Sequence, residues 1–237
     1  MPNPYFSFKQ FTIQQENSPL KVTTDACLLG AYAFTTAPQY ILDIGTGTGI
    51  LAIMAAQRFE KAIIVGIEAD EAAADQARQN TSASPWNDRI VIKTGRIQDF
   101  VKTDPVKSDL ILCNPPYYQA DLVSSDPRAG FARHSLGLSF NELAFAASML
   151  IAARGKIFLI LPPREFEMLE KEMYFFGFTL FDKLSIYNLH ARPLYRIIGG
   201  FSREKLMYSE KNLLSRENNS AYSDGYRELL KDFYLGF

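Results

Sequence analysis

One stretch of the sequence combines a strand, two prolines and side chains suited to holding a flat polar group. Residues 108–113 are an apolar run of strand length, and Pro115 and Pro116 cannot lie inside a strand or a helix. The strand must end just before them, and Pro115 restricts Asn114 to an extended or turn conformation. The Asn114 amide offers an acceptor and donors, and the ring of Tyr117 can stack. An ordinary proline turn is the alternative interpretation of such a strand end.

A second stretch has the pattern of a nucleotide-binding turn. An apolar strand, residues 40–44, leads into residues 45–49 (Gly-Thr-Gly-Thr-Gly) and then into a predicted helix, residues 49–59. Glycines let the backbone approach a ligand closely, and a helix N-terminus offers free N–H groups. The next strand, residues 62–67, ends at Glu68, whose carboxylate can accept both hydroxyls of a ribose. The glycines alone could form a structural turn, but the whole succession favours a cofactor site.

Together these stretches resemble the class I S-adenosylmethionine-dependent methyltransferases with an Asn-Pro-Pro-Tyr motif, which methylate an exocyclic or amide nitrogen. The similarity to the bacterial tRNA(Val) adenine-37 N6-methyltransferases extends over most of the chain. It is carried by residues 8–11, 21–25, 28–30, 84–86, 132–134 and 232–235. The class-level motifs are more specific than these substrate-level ones, because the N-terminal block is similar in other small-RNA-modifying relatives.

The resemblance implies an α/β fold with a doubly wound, seven-stranded, mostly parallel sheet of the Rossmann-like type and strand order 3-2-1-4-5-7-6. The alternation of apolar strands and helices along the chain favours the same class. In this order the strands before the glycine turn and before Asn114 are neighbours, and ligands bind beyond the carboxyl ends of such strands. We expect a single methyltransferase domain, residues 1–237, with residues 1–35 as an N-terminal extension over the cofactor site.

The motifs and the resemblance together assign three groups of site residues. The catalytic group is Asn114, Pro115 and Tyr117. The expected contacts to S-adenosylmethionine come from Lys21, Thr24, Asp43, Gly45, Gly47, Glu68, Ala69, Ile97, Gln98 and Asn114. The expected substrate contacts come from Pro116, Tyr118, Arg133, His134 and Arg192. We expect no metal site, since the chain has only two histidines and its two cysteines fit no metal-ligand spacing.

The chemistry follows from the poor nucleophilicity of an aromatic amine, whose lone pair is delocalised into the ring. Hydrogen bonds from the amine to the Asn114 side-chain oxygen and to the Pro115 carbonyl favour a tetrahedral nitrogen aimed at the methyl group. Positioning then supplies most of the catalysis of an in-line displacement. Tyr117 is expected to stack on a base turned out of its loop. The resemblance implies adenine N6 in RNA as the acceptor, with adenine 37 of tRNA(Val) as the favoured target.

The sequence departs from the family pattern at one position. An acid usually follows the glycine after the third strand and contacts the adenine amine of the cofactor. Here Arg96 follows Gly95. Ile97 and Gln98 are therefore the candidates for packing on, or bonding to, the adenine, and Asp99 is a candidate only if the loop shifts.

Three further segments each allow two interpretations. Asp25 either caps the helix predicted after it or contacts the cofactor. The long connection over residues 115–138 is either a lid over the target base or a surface loop. The basic residues around the turn at 188–193, with Arg196 and Arg203, either contact the RNA backbone or are solvated. Residues 205–223 are polar and are expected to be exposed.

Composition bounds the class of protein. The chain has 237 residues, of which 47% are hydrophobic and 22% charged, as is usual for a globular protein. No apolar run is long enough for a membrane span, and we expect a cytoplasmic monomer with reduced cysteines. The net charge of −1 argues against a large basic surface, although a tRNA contact needs only a local patch. The alternatives are another acceptor (rRNA guanine N2, DNA adenine N6 or a protein glutamine amide) and a non-catalytic cofactor- and RNA-binding protein.

Overall fold

Strands and helices alternate along most of the chain. The computed structural model describes residues 3–16, 21–103, 107–115, 138–189, 193–217 and 221–237. The strands are β1 (Tyr5–Ser7), β2 (Thr12–Gln14), β3 (Tyr40–Ile44), β4 (Ile63–Glu68), β5 (Ile90–Thr94), β6 (Ser108–Cys113), β7 (Ile151–Leu161), β8 (Thr179–Tyr187), β9 (Leu194–Ser202) and β10 (Ser209–Leu214). The helices are α1 (Thr24–Tyr32), α2 (Ile50–Arg58), α3 (Glu71–Ser82), α4 (Ile97–Thr103), α5 (Phe140–Leu150), α6 (Pro163–Phe175) and α7 (Asp224–Leu230).

The strands from β3 onward form one sheet in the order β10-β8-β9-β7-β6-β3-β4-β5. Counted from β3, the first seven of these strands follow the predicted order 3-2-1-4-5-7-6, and the α/β class is confirmed. The sheet has eight strands rather than the predicted seven, because β10 pairs parallel to β8 within the segment predicted to be merely polar and exposed. An edge strand pairs on one side only and is commonly charged, so its sequence lacks an apolar run. Only Leu213 of β10 is buried.

Helices cover both faces of the sheet. One apolar core lies under α1, α2 and α7, and a second lies under α4, α5 and α6. Helix α3 packs beside α2 and buries Ala73, Ala74 and Ala77. The molecule is therefore doubly wound, and the carboxyl ends of β3, β4, β5 and β6 meet at one edge of the sheet.

Two glycines that follow helices have different roles. Helix α5 ends at Leu150 and β7 begins at Ile151, so Gly155 lies inside a strand and not at the end of the helix. A Cβ at Gly155 would lie 2.6 Å from Ile151 and 2.9 Å from the Ser108 carbonyl, so this position requires glycine for packing. Gly177, with φ of 82°, follows α6 and turns the chain into β8.

The N-terminal strands form a separate two-stranded antiparallel hairpin. Phe8 stacks on Phe11, and Trp86 meets Phe11 edge-on, while Tyr234 from the C-terminal segment packs against Phe8. The two ends of the chain thus cover the same side of the molecule. No helix in the described part of the chain is long and apolar enough to cross a membrane.

Candidate active site

The register of the central strands brings the two sequence motifs together. Ile44 of β3 pairs with Cys113 of β6 on one side and with Ile67 of β4 on the other. Gly45 and Asn114 are therefore the first residues beyond β3 and β6, and Glu68 is the last residue of the adjacent strand β4. Neighbouring strands lie about 4.8 Å apart. The glycine turn, the acid and the amide open onto the same edge.

The glycine turn has the backbone that its sequence predicts. Gly45, Gly47 and Gly49 have φ values of 71°, 56° and 83°. A Cβ built at Gly45 or Gly47 meets nothing within 4 Å, so the space above these two residues is open. A Cβ at Gly49 would instead touch Ala77 of α3 at 3.4 Å. The first two glycines therefore leave room for a ligand, and the third allows close helix packing.

Asp43 lies beneath the turn and is completely buried. Its Oδ2 accepts a hydrogen bond from the Thr46 hydroxyl at 2.5 Å. Burial raises the pKa of Asp43 to about 7, the Thr46 hydrogen bond opposes this rise, and the nearby Glu68 carboxylate adds to it. Asp43 was predicted to contact the cofactor. Its buried side chain supports the turn through the hydrogen bond with Thr46. Any effect of Asp43 on a ligand would therefore be transmitted by Thr46.

Glu68 joins the end of β4 to the glycine turn. Its Oε2 accepts the Gly47 N–H at 2.9 Å, and its Oε1 accepts the Asp70 N–H at 3.0 Å. Each oxygen keeps a lone pair for a further donor, because a carboxylate oxygen can accept more than one hydrogen bond. Glu68 is half-buried and the following Ala69 is exposed. The geometry suits a ligand with adjacent hydroxyl groups.

The loop after β5 closes the same edge. The Gly95 N–H donates to the Glu68 carbonyl at 2.8 Å, and Ile97 is buried at the start of α4. The Gln98 amide donates to Glu142 at 3.1 Å. Hydrogen bonds from Ser139 and from Gln98 lower the pKa of Glu142. Gln98 is thereby tied to the capping box of α5, which leaves its amide oxygen as the acceptor available for a ligand.

Asn114 is half-buried at the end of β6, and Pro115 after it is buried. The Nδ2 of Asn114 lies 3.4 Å from the Thr23 hydroxyl. Its Oδ1 exposes less than 1 Å² and accepts no hydrogen bond from the part of the chain that the structure describes. A buried amide oxygen without a donor is costly, which makes it an acceptor for a donor supplied from outside.

Helix α1 begins beside Asn114. Thr23, and not Asp25 as one interpretation predicted, is the N-cap, since its hydroxyl accepts the Ala26 N–H at 3.2 Å. Asp25 lies inside the helix, 4% exposed, and its Oδ2 is 2.6 Å from Nε of Arg196 on β9. The Arg196 side chain is only 12% exposed and engaged in this ion pair, so it is not the solvated side chain that one of its two interpretations predicted. Sequence alone cannot pair two residues 171 positions apart.

Comparison with known proteins identifies the family. A curated protein from Dyadobacter fermentans named tRNA1(Val) (adenine(37)-N6)-methyltransferase is 37% identical over 239 residues, which cover 99% of each chain. One of the same name from Phocaeicola vulgatus is 38% identical over 238 residues, again 99% of each. The chain belongs to the tRNA1(Val) (adenine(37)-N6)-methyltransferase family. This finding confirms the family that the sequence predicted. The similarity extends over essentially the full length of these relatives.

Two further comparisons concern the cofactor half of the chain and its fold. The family model for ribosomal protein L11 methyltransferase (PrmA) matches residues 21–115, which run from the segment before α1 to the end of the Asn-Pro corner. The solved structure of a predicted O-methyltransferase from Agrobacterium tumefaciens superposes with a TM-score of 0.70 at 20% identity, covering 88% of this chain and 96% of that one. The second likeness concerns the fold alone.

The residues at this edge fit S-adenosylmethionine, the cofactor that the tRNA1(Val) methyltransferase family implies. The open space above Gly45 and Gly47 would be filled by any Cβ, and Glu68 presents carboxylate lone pairs beside it. Thr24 is the first residue of α1 and Lys21 precedes its N-cap, and both are exposed. The Lys21 ammonium donates to the Gln15 carbonyl, so it sits against the N-terminal hairpin in this structure.

The sequence interpretation missed a buried asparagine that ties the hairpin to the glycine turn. Asn80 of α3 is 2% exposed. Its Nδ2 donates to the carbonyls of Gln14 and Thr48 at 2.8 Å each, and its Oδ1 accepts the Gln14 N–H at 2.8 Å. A polar residue among the apolar positions of α3 was the available signal. Asn80 couples the position of β2 to that of the turn.

Several predicted site residues lie outside the described residues. They are Pro116, Tyr117, Tyr118, Arg133, His134 and Arg192. Arg203 is described and stacks on Phe178 near the opposite edge of the sheet, away from Asn114. Within the described ranges no group of three or more histidine, cysteine or acidic side chains is arranged to hold a metal ion.

Proposed function

We propose that this chain transfers the methyl group of S-adenosylmethionine to the N6 amine of adenine 37 in tRNA1(Val). The observation that carries the proposal is the unpartnered, buried Oδ1 of Asn114 beside the open glycine turn. The end of β6 presents an acceptor for an amine, and the adjacent glycine turn after β3 leaves room for a nucleoside. The relatives at 37% and 38% identity bear the name of this activity.

In the proposed mechanism Asn114 is the main residue that positions the acceptor amine. Its Oδ1 accepts one hydrogen of the N6 amine, and the Pro115 carbonyl accepts the other. These two bonds withdraw the nitrogen from conjugation with the ring and aim its lone pair along the line of transfer. S-adenosylmethionine, when bound, supplies a methyl group on a sulfonium, which is already a good leaving group. The chain has only to position the amine, and the extra proton leaves the product nitrogen to solvent.

The cofactor is held in this proposal by the turn and by the ends of three strands. Gly45 and Gly47 would allow close approach, Glu68 would accept hydrogen bonds from the ribose hydroxyls, and Ile97 and Gln98 would border the adenine. The role left open by Arg96 falls to the Gln98 amide oxygen, since its nitrogen is engaged with Glu142. We assign Lys21 and Thr24, within the proposed N-terminal extension of residues 1–35, to the methionine end. Ala69 would border the ligand, and Asp43 would support the glycine turn from below.

The acceptor half of the site involves the remaining predicted residues. Tyr117 stacks on the adenine, and Pro116 and Tyr118 border it, while Arg133, His134 and Arg192 contact the RNA. We propose that the adenine is turned out of its loop, because an enzyme must reach a base to modify it. The match to the L11 methyltransferase model ends at residue 115, so it covers the cofactor half and gives no reason to prefer a protein amide as acceptor.

The proposed enzyme acts as a cytoplasmic monomer. The family gives tRNA as the substrate. Light scattering of the purified chain, with and without tRNA, tests this proposal. We expect a monomer without tRNA and a complex of one protein with one tRNA. A stable dimer without RNA would contradict it.

The activity itself is tested by nucleoside mass spectrometry. Purified chain and S-adenosylmethionine are incubated with tRNA1(Val) transcripts that carry adenine or guanine at position 37. We expect N6-methyladenosine only in the adenine transcript. Equal methylation of both transcripts would place the target elsewhere, and no methylation of any RNA, DNA or protein offered would favour a non-catalytic binding protein.

A further inference from the structure

We propose that Asn80 is a positioning residue for S-adenosylmethionine binding, because it joins the N-terminal hairpin to the glycine turn so that each holds the other in place. The inference rests on the proposed placement of the cofactor. It adds a residue that touches neither the cofactor nor the acceptor. Asn80 lies on α3, 66 positions after Gln14 of β2 and 32 after Thr48 of the turn.

The surroundings of the Asn80 amide allow it one orientation. Its Nδ2 donates to the carbonyls of Gln14 and Thr48, and its Oδ1 accepts the Gln14 N–H, each at 2.8 Å. A reversed amide would set its oxygen against two carbonyls and its nitrogen against an N–H, so all three bonds would be lost. The side chain is 2% exposed, so the groups left without these bonds would be buried and costly.

On the hairpin side Asn80 takes the place of a neighbouring strand. Both main-chain polar groups of Gln14 bond to it, while β1 pairs with the other edge of β2. A neighbouring strand would make the same pair of hydrogen bonds to a single residue. Asn80 therefore docks β2 against α3.

On the turn side Asn80 fixes one peptide plane. Thr48 lies between Gly47 and Gly49, whose φ values are 56° and 83°. The Thr48 carbonyl, held by Asn80, sets the plane of the peptide that leads into Gly49. Glu68 holds the Gly47 N–H at 2.9 Å. The turn is thus held from β4 by Glu68 and from α3 by Asn80, in the shape that leaves room for a ligand.

The hairpin also carries the segment assigned to the methionine end. Gln15, directly after β2, is 7% exposed, and its Oε1 accepts the Val22 N–H at 2.8 Å. The Lys21 ammonium donates to the Gln15 carbonyl. Residues 21–24 therefore lie where β2 places them, and β2 lies where Asn80 holds it.

A ligand that contacts both the turn and residues 21–24 binds best when the two are in place together. By thermodynamic linkage, the bound ligand must then stabilise the docked hairpin to the same extent as the docked hairpin strengthens binding. Asn80 carries this coupling. A purely structural asparagine would contribute to stability alone, with no effect on affinity and none on how a ligand protects the hairpin.

The first test compares S-adenosylmethionine affinity in Asn80→Leu and Arg89→Met by titration calorimetry. Leucine has the same branched shape as asparagine but makes no hydrogen bonds. Arg89, just before β5, is the matched control because it also makes three hydrogen bonds to the main chain. Its partners are the carbonyls of Ala56, Phe59 and Ala62, at 2.9 Å each. They lie at the end of α2 away from the glycine turn.

Both variants should unfold at a lower urea concentration than the wild type. We expect only Asn80→Leu to bind S-adenosylmethionine more weakly, by about tenfold, a usual size for such coupling. Equal affinities in the two variants, or wild-type affinity in Asn80→Leu, would overturn the proposal. A wild type that binds no S-adenosylmethionine would instead refute the proposed cofactor site.

Hydrogen exchange gives a second readout that a loss of stability alone does not move. The Gln15 N–H donates to the Pro4 carbonyl at 2.9 Å and reports opening of the hairpin, whereas the Ile111 N–H in the central strand β6 reports global unfolding. At matched saturation with S-adenosylmethionine, Gln15 exchange should slow about tenfold in the wild type and in Arg89→Met, but less than about twofold in Asn80→Leu. Ile111 should be protected in all three. Equal slowing at Gln15 in all three proteins, or none in the wild type, would contradict the coupling.

Gln14→Pro replaces Asn80→Leu in both experiments if the leucine variant does not fold. It removes the N–H that Asn80 accepts and leaves Asn80 bonded to Thr48. Proline is tolerated on an edge strand at a residue whose N–H bonds no neighbouring strand. We expect the same weaker binding and the same loss of protection at Gln15, and wild-type values for both would again reject the role of Asn80.

Discussion

Glu68 accepts the backbone N–H of Gly47 at 2.9 Å, so the acid at the end of β4 and the glycine turn after β3 form one unit. The same carboxylate accepts the Asp70 N–H at the start of α3. Both contacts are made within the chain itself. The proposed cofactor site is therefore largely preformed, and a substitution of either Glu68 or Gly47 should disturb the position of the other.

Glu68→Gln tests this unit. The substitution places an NH₂ group against one of the two N–H donors, so the turn loses a hydrogen bond and the proposed ribose site loses its charge. We expect S-adenosylmethionine affinity to fall about tenfold or more, measured by titration calorimetry. Glu71→Gln, an exposed acid in the first turn of α3, is the control and should bind normally. Wild-type affinity of Glu68→Gln would refute the ribose assignment.

Gly47→Ala tests the open space above the turn. Alanine at φ of 56° adds backbone strain of about 1 kcal/mol and places a methyl group where the cofactor is proposed to lie. Gly177→Ala introduces the same strain, at φ of 82° and in equally open space, beyond α6. Both variants should lose similar stability, but only Gly47→Ala should bind S-adenosylmethionine more weakly. Gly47→Val should weaken binding further. Equal affinities in the two alanine variants would contradict this placement.

Arg196→Met tests the buried ion pair. Removing the cation leaves Asp25 buried without its charged partner, which should lower the free energy of unfolding by about 3 kcal/mol. Lys183 and Glu210 form a more exposed pair at 3.1 Å on β8 and β10. Lys183→Met should cost less than about 1 kcal/mol. Urea unfolding of both variants makes the comparison, and equal small losses would show that the Asp25 pair does not anchor α1.

Asp43 predicts a specific pH dependence of stability. Its folded pKa of about 7 lies above the ordinary value of 3.8, so between these values the folded state holds a proton that the unfolded state has released. The contribution of Asp43 to stability is therefore most favourable at low pH and decreases as pH rises toward about 7. The difference in unfolding free energy between wild type and Asp43→Asn should fall by about 1.4 kcal/mol per pH unit across this window.

The measurement is urea unfolding of both proteins at several pH values between about 4 and 8. Asp75→Asn is the control, because Asp75 is exposed and pairs with Arg78 on the surface. It should show no such slope against the wild type. A constant difference between wild type and Asp43→Asn at all pH values would mean that Asp43 is ionised throughout.

Local patterns predicted much of this molecule. The strand before Asn114, the glycine turn and the acid after β4 are each written in consecutive residues, and the parallel order of their strands makes them neighbours. What depends on one segment alone could be predicted.

Contacts between distant segments could not. Thr23 was included only within a motif. Asp25 was interpreted as a helix cap or a cofactor contact, and Arg196 as an RNA contact or a solvated side chain. Their actual roles depend on how α1 lies against β6 and β9, which no periodicity in the sequence encodes. Strand β10 was missed for another reason. Its charged edge sequence lacks the apolar alternation by which strands are recognised.

Asn114→Ala tests the central claim most directly, by single-turnover methylation of tRNA1(Val) together with calorimetry of S-adenosylmethionine. Asn212→Ala, at an exposed position of β10, is the control for folding. Loss of the acceptor oxygen should reduce the methylation rate by about a hundredfold or more while cofactor affinity stays within about twofold of wild type. Methylation at the wild-type rate in Asn114→Ala would contradict the account.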